Sequence, residues 1–208
     1  MYRPGPYVQD DVAVLHDIIR ERSFAVVAAV TDGEAQFAYA PVVVDAEGPR
    51  GRVRYHLARA NPLAKLDGAK VRLSFLGPDA YVSPDWYKTE GLVPTWNYVA
   101  IEGAGVARQL DKTALHQLLI DLSAVQEERL RPKEPWRIEK VPEARLEGLL
   151  NAIVGFSVEF ETLEGKFKLS QDKKAEDFEG VVAELSESGR PADRAVAAAM
   201  RRYTKRTL

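Results

Sequence analysis

The stretch DAYVSPDWYKTEGLVPTWNY, residues 79–98, decides how this chain folds, because it combines aromatic rings with residues that interrupt regular structure. Pro84 and Pro94 exclude a single helix, since proline lacks a backbone donor and clashes with the preceding turn. The charged residues between them exclude a buried strand. The stretch therefore predicts the end of one strand, a loop, and the start of the next strand.

Aromatic rings are dense in this loop, which holds two of the three tryptophans of the chain. Exposed clusters of rings are unfavourable in water and commonly mark a ligand or partner surface. Two interpretations stay open: a small core packed under a long loop, or a floor for a flat aromatic ligand.

Composition places the chain among ordinary globular proteins: of its 208 residues, 46% are apolar and 29% are charged. The formal net charge of −2 gives no overall field that would attract nucleic acid or an anionic membrane. Cysteine is absent, which excludes disulfides, thiolate metal sites and a cysteine nucleophile. Because no segment resembles a signal peptide or a membrane span, we expect a cytoplasmic protein without membrane contact.

Upstream of the aromatic loop, the pattern predicts a helix followed by a β-hairpin. In the helix, His16 lies opposite the apolar face and is expected to be solvated. Apolar runs at 24–31 and 36–44 flank an Asp-Gly turn signal at 32–33. Pro41 removes one ladder donor, which predicts a sheet edge or a bulge. The apolar face of the helix consists of Val12, Leu15, Ile18 and Ile19.

The segment HLARANPLAKL, residues 56–66, predicts an anion site. Arg59 and Asn61 stand just before a short helix whose first turn carries Pro62, so free amides at the helix end lie beside a cation. The neighbouring His56 has two open interpretations: it donates to a phosphate or other ligand, or it is a hydrogen-bonded structural histidine.

In the rest of the chain, glycines and the spacing of apolar residues predict the remaining strands, turns and helices. A strand at 69–76 is expected to turn at Gly77-Pro78. Gly103 and Gly105 allow a bulge or a close backbone approach in the strand after the loop. Asp111 is expected to cap a helix. The other expected elements are a helix at about 143–153, a strand at 156–162, a turn at Glu164-Gly165, and helices at 175–188 and from 191 onward.

Two charged segments near the C-terminus each have two interpretations. The run KLSQDKK, residues 168–174, places an ammonium, a hydroxyl and an amide together, which suits a polar ring edge, an anion or a solvated turn. A basic cluster ends the last helix, where cations complement the helix dipole or contact DNA. This cluster consists of Arg201, Arg202, Lys205 and Arg206.

Several chemistries are excluded by the motifs. The three histidines are far apart and none has a second ligand at metal-binding spacing, so no metal site is predicted. A nucleophile elbow, a P-loop and a dinucleotide fingerprint are absent. No catalytic residue emerges from the spacing. The short strands and hairpin signals predict an antiparallel barrel or sheet with helices, rather than a βαβ fold.

Four sequence blocks occur in the order found in one known family: HLARANP at 56–62, GPDAYVSPDWY at 77–87, VPTWNY at 93–98 and KLSQ at 168–171. On these blocks the chain resembles the PaiB-type family of FMN-binding negative transcriptional regulators. The resemblance implies a mainly β fold with helices (α+β), an FMN-binding split β-barrel with a C-terminal helical extension. It implies one domain over residues 1–208, with the barrel at about 1–170 and the helices at about 175–206. A homodimer with flavin at the subunit interface is also implied.

For the cofactor FMN, the resemblance implies that Arg59 and Asn61 hold the phosphate beside His56. The aromatic loop would flank the isoalloxazine ring, and Lys168 and Gln171 would address the ring or a small-molecule substrate. The loop residues expected at the cofactor are Tyr81, Ser83, Trp86, Thr95, Trp96 and Asn97.

Two departures from the family bear on function. Family members commonly carry a histidine in the second strand and another after the NY of the sixth; here those places hold Tyr39 to Pro41 and Glu102. Their loss argues against haem ligation.

The resemblance implies a regulator of sporulation and degradative-enzyme genes, although direct DNA binding is not expected because no helix-turn-helix signature is present. The alternative is an FMN-dependent oxidoreductase acting on a small molecule, which would be reduced by a nicotinamide cofactor faster than free FMN.

Overall fold

The structure is a computed structural model that describes residues 1–204. The chain divides into two compact units, each built from separate segments. Unit 1 contains residues 1–11, 76–101 and the part from 164 onward, and unit 2 contains residues 12–75 and 102–163.

Eight strands and five α-helices make up the described chain. The strands are β1 (Val8–Gln9), β2 (Phe24–Thr31), β3 (Glu34–Asp45), β4 (Arg52–Ala58), β5 (Lys70–Val82), β6 (Thr95–Gln109), β7 (Ile153–Glu159) and β8 (Thr162–Lys168). The helices are α1 (Val12–Arg22), α2 (Lys112–Glu128), α3 (Glu143–Asn151), α4 (Ala175–Glu187) and α5 (Pro191–Tyr203). No helix among the described residues is both long and apolar enough to cross a bilayer.

Unit 2 contains a closed barrel. Its strands follow the order β6-β5-β2-β3-β4-β7, and β6 also pairs with β7, which closes the ring. Strand β7 is antiparallel to both of its neighbours, with Tyr55 of β4 opposite Phe156 and Ala107 of β6 opposite Val158. Alternate side chains point inward because successive residues of a strand face opposite sides. The inward set includes Val27, Val53, Tyr55, Leu73, Phe75, Ala107, Phe156 and Val158.

Two glycines allow the close approach that the sequence predicted in β6. A Cβ atom on Gly103 would lie 2.3 Å from the ring of Phe160, and one on Gly105 would lie 2.1 Å from the carbonyl oxygen of Glu159. Both distances are far below van der Waals contact, so only glycine fits at these places. The prediction of a close backbone approach is confirmed.

Helix α2 begins at a capping aspartate and is joined to the barrel by an ion-pair network. Asp111 accepts a hydrogen bond from the amide of Ala114 at 2.8 Å, as predicted for a cap. Arg54 of β4 donates to both oxygens of Asp45 and to Asp121 of α2, the latter at 2.8 Å. The hydrogen bonds and charges of Arg54 and Arg52 outweigh burial and lower the pKa of Asp45.

Unit 1 contains the short strand β1, which pairs with β8 so that Val8 lies opposite Lys166. It also contains helices α4 and α5, whose buried faces follow helical spacing. Their core side chains are Phe178, Val181, Leu185, Val196 and Met200.

Two expectations for the first half of the chain were wrong. His16 is 3% exposed instead of solvated, because its Nε2 atom bonds the carbonyl of Arg50 at 2.9 Å. For Pro41 the predicted sheet edge was wrong, because β3 is an interior strand, whereas the alternative of a bulge stays a prediction. There β3 changes partner, pairing with β2 up to Pro41 and with β4 from Val42 onward, so the missing amide donor falls at the change.

The predicted turns at 77–78 and 164–165 were also wrong, since β5 runs through Gly77 to Val82 and β8 begins at Thr162. Gly77 is needed because a Cβ atom there would lie 2.8 Å from Val99. Helix α5 ends at Tyr203. Arg201 and Arg202 lie in its last turn, whereas the predicted cations Lys205 and Arg206 fall outside the described residues.

Candidate functional site

In unit 2, the loop after β4 presents Arg59 and Asn61 as predicted. The side chain of Asn61 accepts a hydrogen bond from the amide of Leu63 at 2.9 Å and caps a 3₁₀ helix, Pro62–Lys65. This helix has only four residues, so its dipole contributes less than that of a full α-helix. Most of the attraction for an anion therefore has to come from the arginine.

Arg59 is held in place by the backbone at the junction of α3 and β7. Its Nε donates to the carbonyl of Asn151 at 2.7 Å, and its Nη2 donates to the carbonyl of Ile153 at 3.0 Å. Within residues 1–204, Nη1 has no hydrogen-bond partner. The guanidinium group has five N–H donors, so a fixed orientation leaves donors available for a phosphate.

His56 lies near the end of β4, just before the loop that carries Arg59. Its Nδ1 atom is buried and has no hydrogen-bond partner in the described part of the chain. Burial lowers the pKa of His56, so the ring is neutral at pH 7. A structural histidine would be expected to have a hydrogen-bond partner for this nitrogen, and none is present in the described chain. The buried Nδ1 atom therefore favours the interpretation in which His56 contacts a ligand.

In unit 1, the aromatic loop exposes two rings. Tyr81 and Trp96 are 42% and 49% exposed, and they meet edge to face with centroids 6.1 Å apart. Ser83 caps the short 3₁₀ helix Pro84–Trp86, accepting from the amide of Asp85. Trp86 is half-buried. The two rings are nearly perpendicular, so each offers its own apolar face on which an aromatic ligand can stack.

Helix α4 holds this loop in place, which the sequence did not indicate. Asp177 is 1% exposed and accepts hydrogen bonds from the amides of Lys88 and Thr89 at 2.7 and 2.9 Å, and from the Thr89 hydroxyl at 2.7 Å. These hydrogen bonds lower the pKa of Asp177. Gly180 of the same helix packs on the carbonyl of Trp86, where a Cβ atom would lie 2.2 Å away. In the sequence, Asp177 is simply an acidic residue in the first turn of a helix.

The KLSQ segment is built into unit 1 through polar contacts with the start of β6. Lys168 donates to the Thr95 hydroxyl and to the carbonyl of Trp96, each at 2.6 Å. Asn97 is fully buried and donates to the Ser170 hydroxyl at 2.9 Å. The Gln171 amide folds back on its own turn, where it bonds the amide of Leu169 and the carbonyl of Phe167.

The predicted residues thus form two groups. Unit 1 brings Lys168 together with Thr95 and Trp96, and Trp96 meets Tyr81. In unit 2, the residues predicted to bind a phosphate lie on one strand and on the loop that follows it; they are His56, Arg59 and Asn61. The assignment of all of them to a cofactor stays a prediction. Within unit 1, the side chains of Asn97 and Gln171 are engaged in internal hydrogen bonds.

The closed antiparallel barrel defines a protein of the split-barrel class. A flavin- and haem-binding protein from Mycobacterium smegmatis shares the fold, with 16% identity and a TM-score of 0.59 over 85% of this chain and 80% of that one. A flavocytochrome from Azotobacter vinelandii shares it with 17% identity and a TM-score of 0.61 over 86% and 78%. At these identities the likeness shows the fold alone.

Residues 1–162 match the family model described as "Putative FMN-binding domain", and the chain belongs to that family. Across its whole length it is 29% identical to the protease synthase and sporulation protein PAI 2 of Bacillus subtilis, covering 100% of both chains. It is also 26% identical to an uncharacterised protein of Emericella nidulans over 95% of each. These findings confirm the predicted family, the split-barrel fold and FMN as the cofactor of the family.

Proposed function

We propose that this protein binds FMN and acts as a flavin-dependent regulator, in which flavin occupancy or redox state changes the surface offered to a partner. The observation that carries the proposal is the family match over residues 1–162, which contain the Arg59 loop and the aromatic loop. Similarity to the sporulation protein PAI 2 over the whole chain supports a regulatory role. When bound, FMN supplies hydride or electron transfer, and the protein supplies position and electrostatics.

The phosphate of FMN is assigned to the loop at Arg59 and Asn61 in unit 2. The Nη1 donors of Arg59 have no protein acceptor among the described residues, and the guanidinium is already oriented by two backbone carbonyls. A preoriented arginine loses little side-chain freedom when it binds, which favours a charge-assisted contact to phosphate. His56 adds a buried nitrogen without a partner in the described chain at the same strand end.

For the isoalloxazine ring, unit 1 offers the exposed faces of Tyr81 and Trp96, and a flat ring can stack on either of them. Asp177 and Gly180 hold the loop that ends at these rings in one conformation. A loop that is ordered before binding loses less entropy when a ligand stacks on it.

The substitution Asn61→Asp tests the phosphate assignment without removing the helix cap, because aspartate caps as well as asparagine. The new carboxylate would repel the FMN phosphate. We expect FMN affinity, measured by flavin fluorescence titration, to fall at least about tenfold. Riboflavin lacks the phosphate, so its affinity should stay within about twofold.

The exposed substitution Gln126→Glu on α2 is the matched control, since it adds the same charge away from this loop. Its FMN affinity should equal that of the unmodified protein. Equal losses for FMN and riboflavin in Asn61→Asp would remove the phosphate from this loop. Absence of FMN binding by the unmodified protein would contradict the function itself.

We further infer that the protein is a homodimer formed through the outer face of β2 and β3 in unit 2. Phe37 and Tyr39 are 61% and 68% exposed, and across the strands they oppose Ala28 and Val26. Large apolar side chains exposed together on one face of a sheet mark a surface that another molecule covers. A groove of about 570 Å³ beside them contains Lys70, Arg72 and Glu161, where Lys70 pairs with Glu161 at 3.9 Å and Arg72 pairs with Glu102 at 3.6 Å, so the face carries both charge signs in exposed ion pairs. A second copy fits this face, because a twofold contact can pair opposite charges of identical surfaces.

A further inference from the structure

Unit 1 contains a small pocket at the end of the KLSQ segment. Its volume is about 180 Å³, smaller than the pockets that hold drug-sized ligands. One wall is apolar and comes from the end of the aromatic loop, with Leu92, Val93 and Pro94. The other wall is polar and contains Tyr7, Thr95, Lys168, Ser170, Asp172 and Lys173.

Lys168 carries a charge that no carboxylate of the described chain compensates directly. Its ammonium group is partly buried and donates only to neutral acceptors, the Thr95 hydroxyl and the carbonyl of Trp96. Among the described residues no carboxylate oxygen lies within 4.0 Å of its Nζ atom. Burial lowers the pKa of Lys168, which reflects the same imbalance. A buried cation is stabilised by an anion, so the pocket favours a negatively charged group.

The acid that lines the pocket is already engaged elsewhere. Asp172 pairs with Lys173 and accepts a hydrogen bond from the Tyr7 hydroxyl. Although burial opposes it, the hydrogen bond and charge of Lys173 lower the pKa of Asp172, so Asp172 is ionised and matched by its own cation. Asp172 also favours the charged form of Lys168 through its charge, but burial and the neighbouring cations Lys173 and Lys166 outweigh it, so the pKa of Lys168 is lowered. No carboxylate bonds the ammonium directly, and its third N–H is available for an acceptor in the pocket.

We propose that this pocket binds a small monocarboxylate, with the carboxylate on Lys168 and the hydrocarbon part against Leu92, Val93 and Pro94. The pocket is too small for a flavin ring, so Lys168 contacts a substrate-sized acid. Four of the lining residues lie beyond residue 162, outside the range that matches the FMN-binding family. The inference goes beyond the FMN proposal and does not depend on it.

The test is a titration of the full ¹⁵N-labelled chain with propionate, followed by amide chemical shifts with and without added FMN. Propionamide, which has the same shape without the charge, is the ligand control. We expect propionate to shift the amides of Thr95 and Ser170, and propionamide to leave them unchanged. Equal shifts with the two ligands, or shifts only at other places, would overturn the proposal.

Two variants test whether Lys168 supplies the positive charge that binds propionate. Lys168→Gln keeps a donor for Thr95 but removes the charge, and should weaken propionate binding at least about tenfold, as expected for a charged hydrogen bond. Lys166→Gln removes one charge from the same strand, where Lys166 packs over the rings of Tyr2 and Tyr98, and should change binding by less than about twofold. Unchanged binding in Lys168→Gln, or equal losses in both variants, would also overturn the proposal. Because the titration is run without FMN as well, its failure is separate from a failure of FMN binding.

Discussion

At the scale of single residues, His56 shows how burial sets a charge state. Its Nδ1 atom is buried without a partner in the described chain, and burial lowers the pKa of the ring. In the unfolded chain the same histidine titrates near its ordinary value of about 6.5. The neutral form is therefore favoured by the folded protein, and protonation favours the unfolded chain.

This difference predicts a contribution of His56 to the pH dependence of stability. Below about pH 6.5 the unfolded chain binds a proton that the folded protein resists, so the free energy of unfolding should fall as the pH falls. The variant His56→Gln should lose less stability between about pH 8 and about pH 5.5, which lie on either side of that value. Urea unfolding of the FMN-free protein at the two pH values measures both. Identical losses for the two proteins would show that His56 does not carry the effect.

At the scale of elements, glycine determines how closely β6 approaches the end of β7. Gly105 faces the carbonyl oxygen of Glu159 so closely that a Cβ atom would lie 2.1 Å away. The clash is with backbone, which cannot rotate aside like a side chain. Gly148 of α3, by contrast, has open space around its Cβ position.

The same substitution should therefore have opposite effects at the two places. Gly105→Ala should lower the free energy of unfolding by about 1–3 kcal/mol or more, because it overpacks a barrel strand. Gly148→Ala should raise it by about 0.5–1 kcal/mol, because alanine is the better helix former. Denaturant titration of both variants measures these values. A stable Gly105→Ala protein would contradict the close packing of β6.

At the scale of the whole molecule, the exposed face of β2 and β3 determines the assembly that we infer. Phe37→Glu would place a charge in the covered apolar face of each copy, which is unfavourable without a partner charge. Light scattering coupled to size-exclusion chromatography should give twice the chain mass of 23.1 kDa for the unmodified protein, and the single chain mass for Phe37→Glu.

The control for this prediction is Val125→Glu, which changes a residue of α2 that is 39% exposed and lies off the proposed face. This variant should remain a dimer. A monomeric unmodified protein, or a dimeric Phe37→Glu variant, would remove the proposed interface while leaving the phosphate assignment at Asn61 untouched.

Local patterns in the sequence were sufficient for much of the fold. The apolar spacing at Leu15 and Ile18 predicted α1, the Asp-Gly signal at 32–33 predicted the hairpin, and Asp111 predicted the start of α2. The family blocks predicted the split barrel and its cofactor. These features depend on residues close together in the chain, or on motifs that one family shares.

Tertiary contacts decided the features that the sequence alone could not. His16 is buried because Arg50, 34 positions away, supplies a carbonyl acceptor, and Asp177 holds a loop 88 positions earlier. The uncompensated charge of Lys168 depends on which groups reach its ammonium, and its acceptors lie 73 and 72 positions away. The sequence by itself determined most of the elements and the family, because both follow from short-range patterns. The tertiary structure decided which polar groups are satisfied, because hydrogen bonds and burial depend on chain segments that only folding brings together.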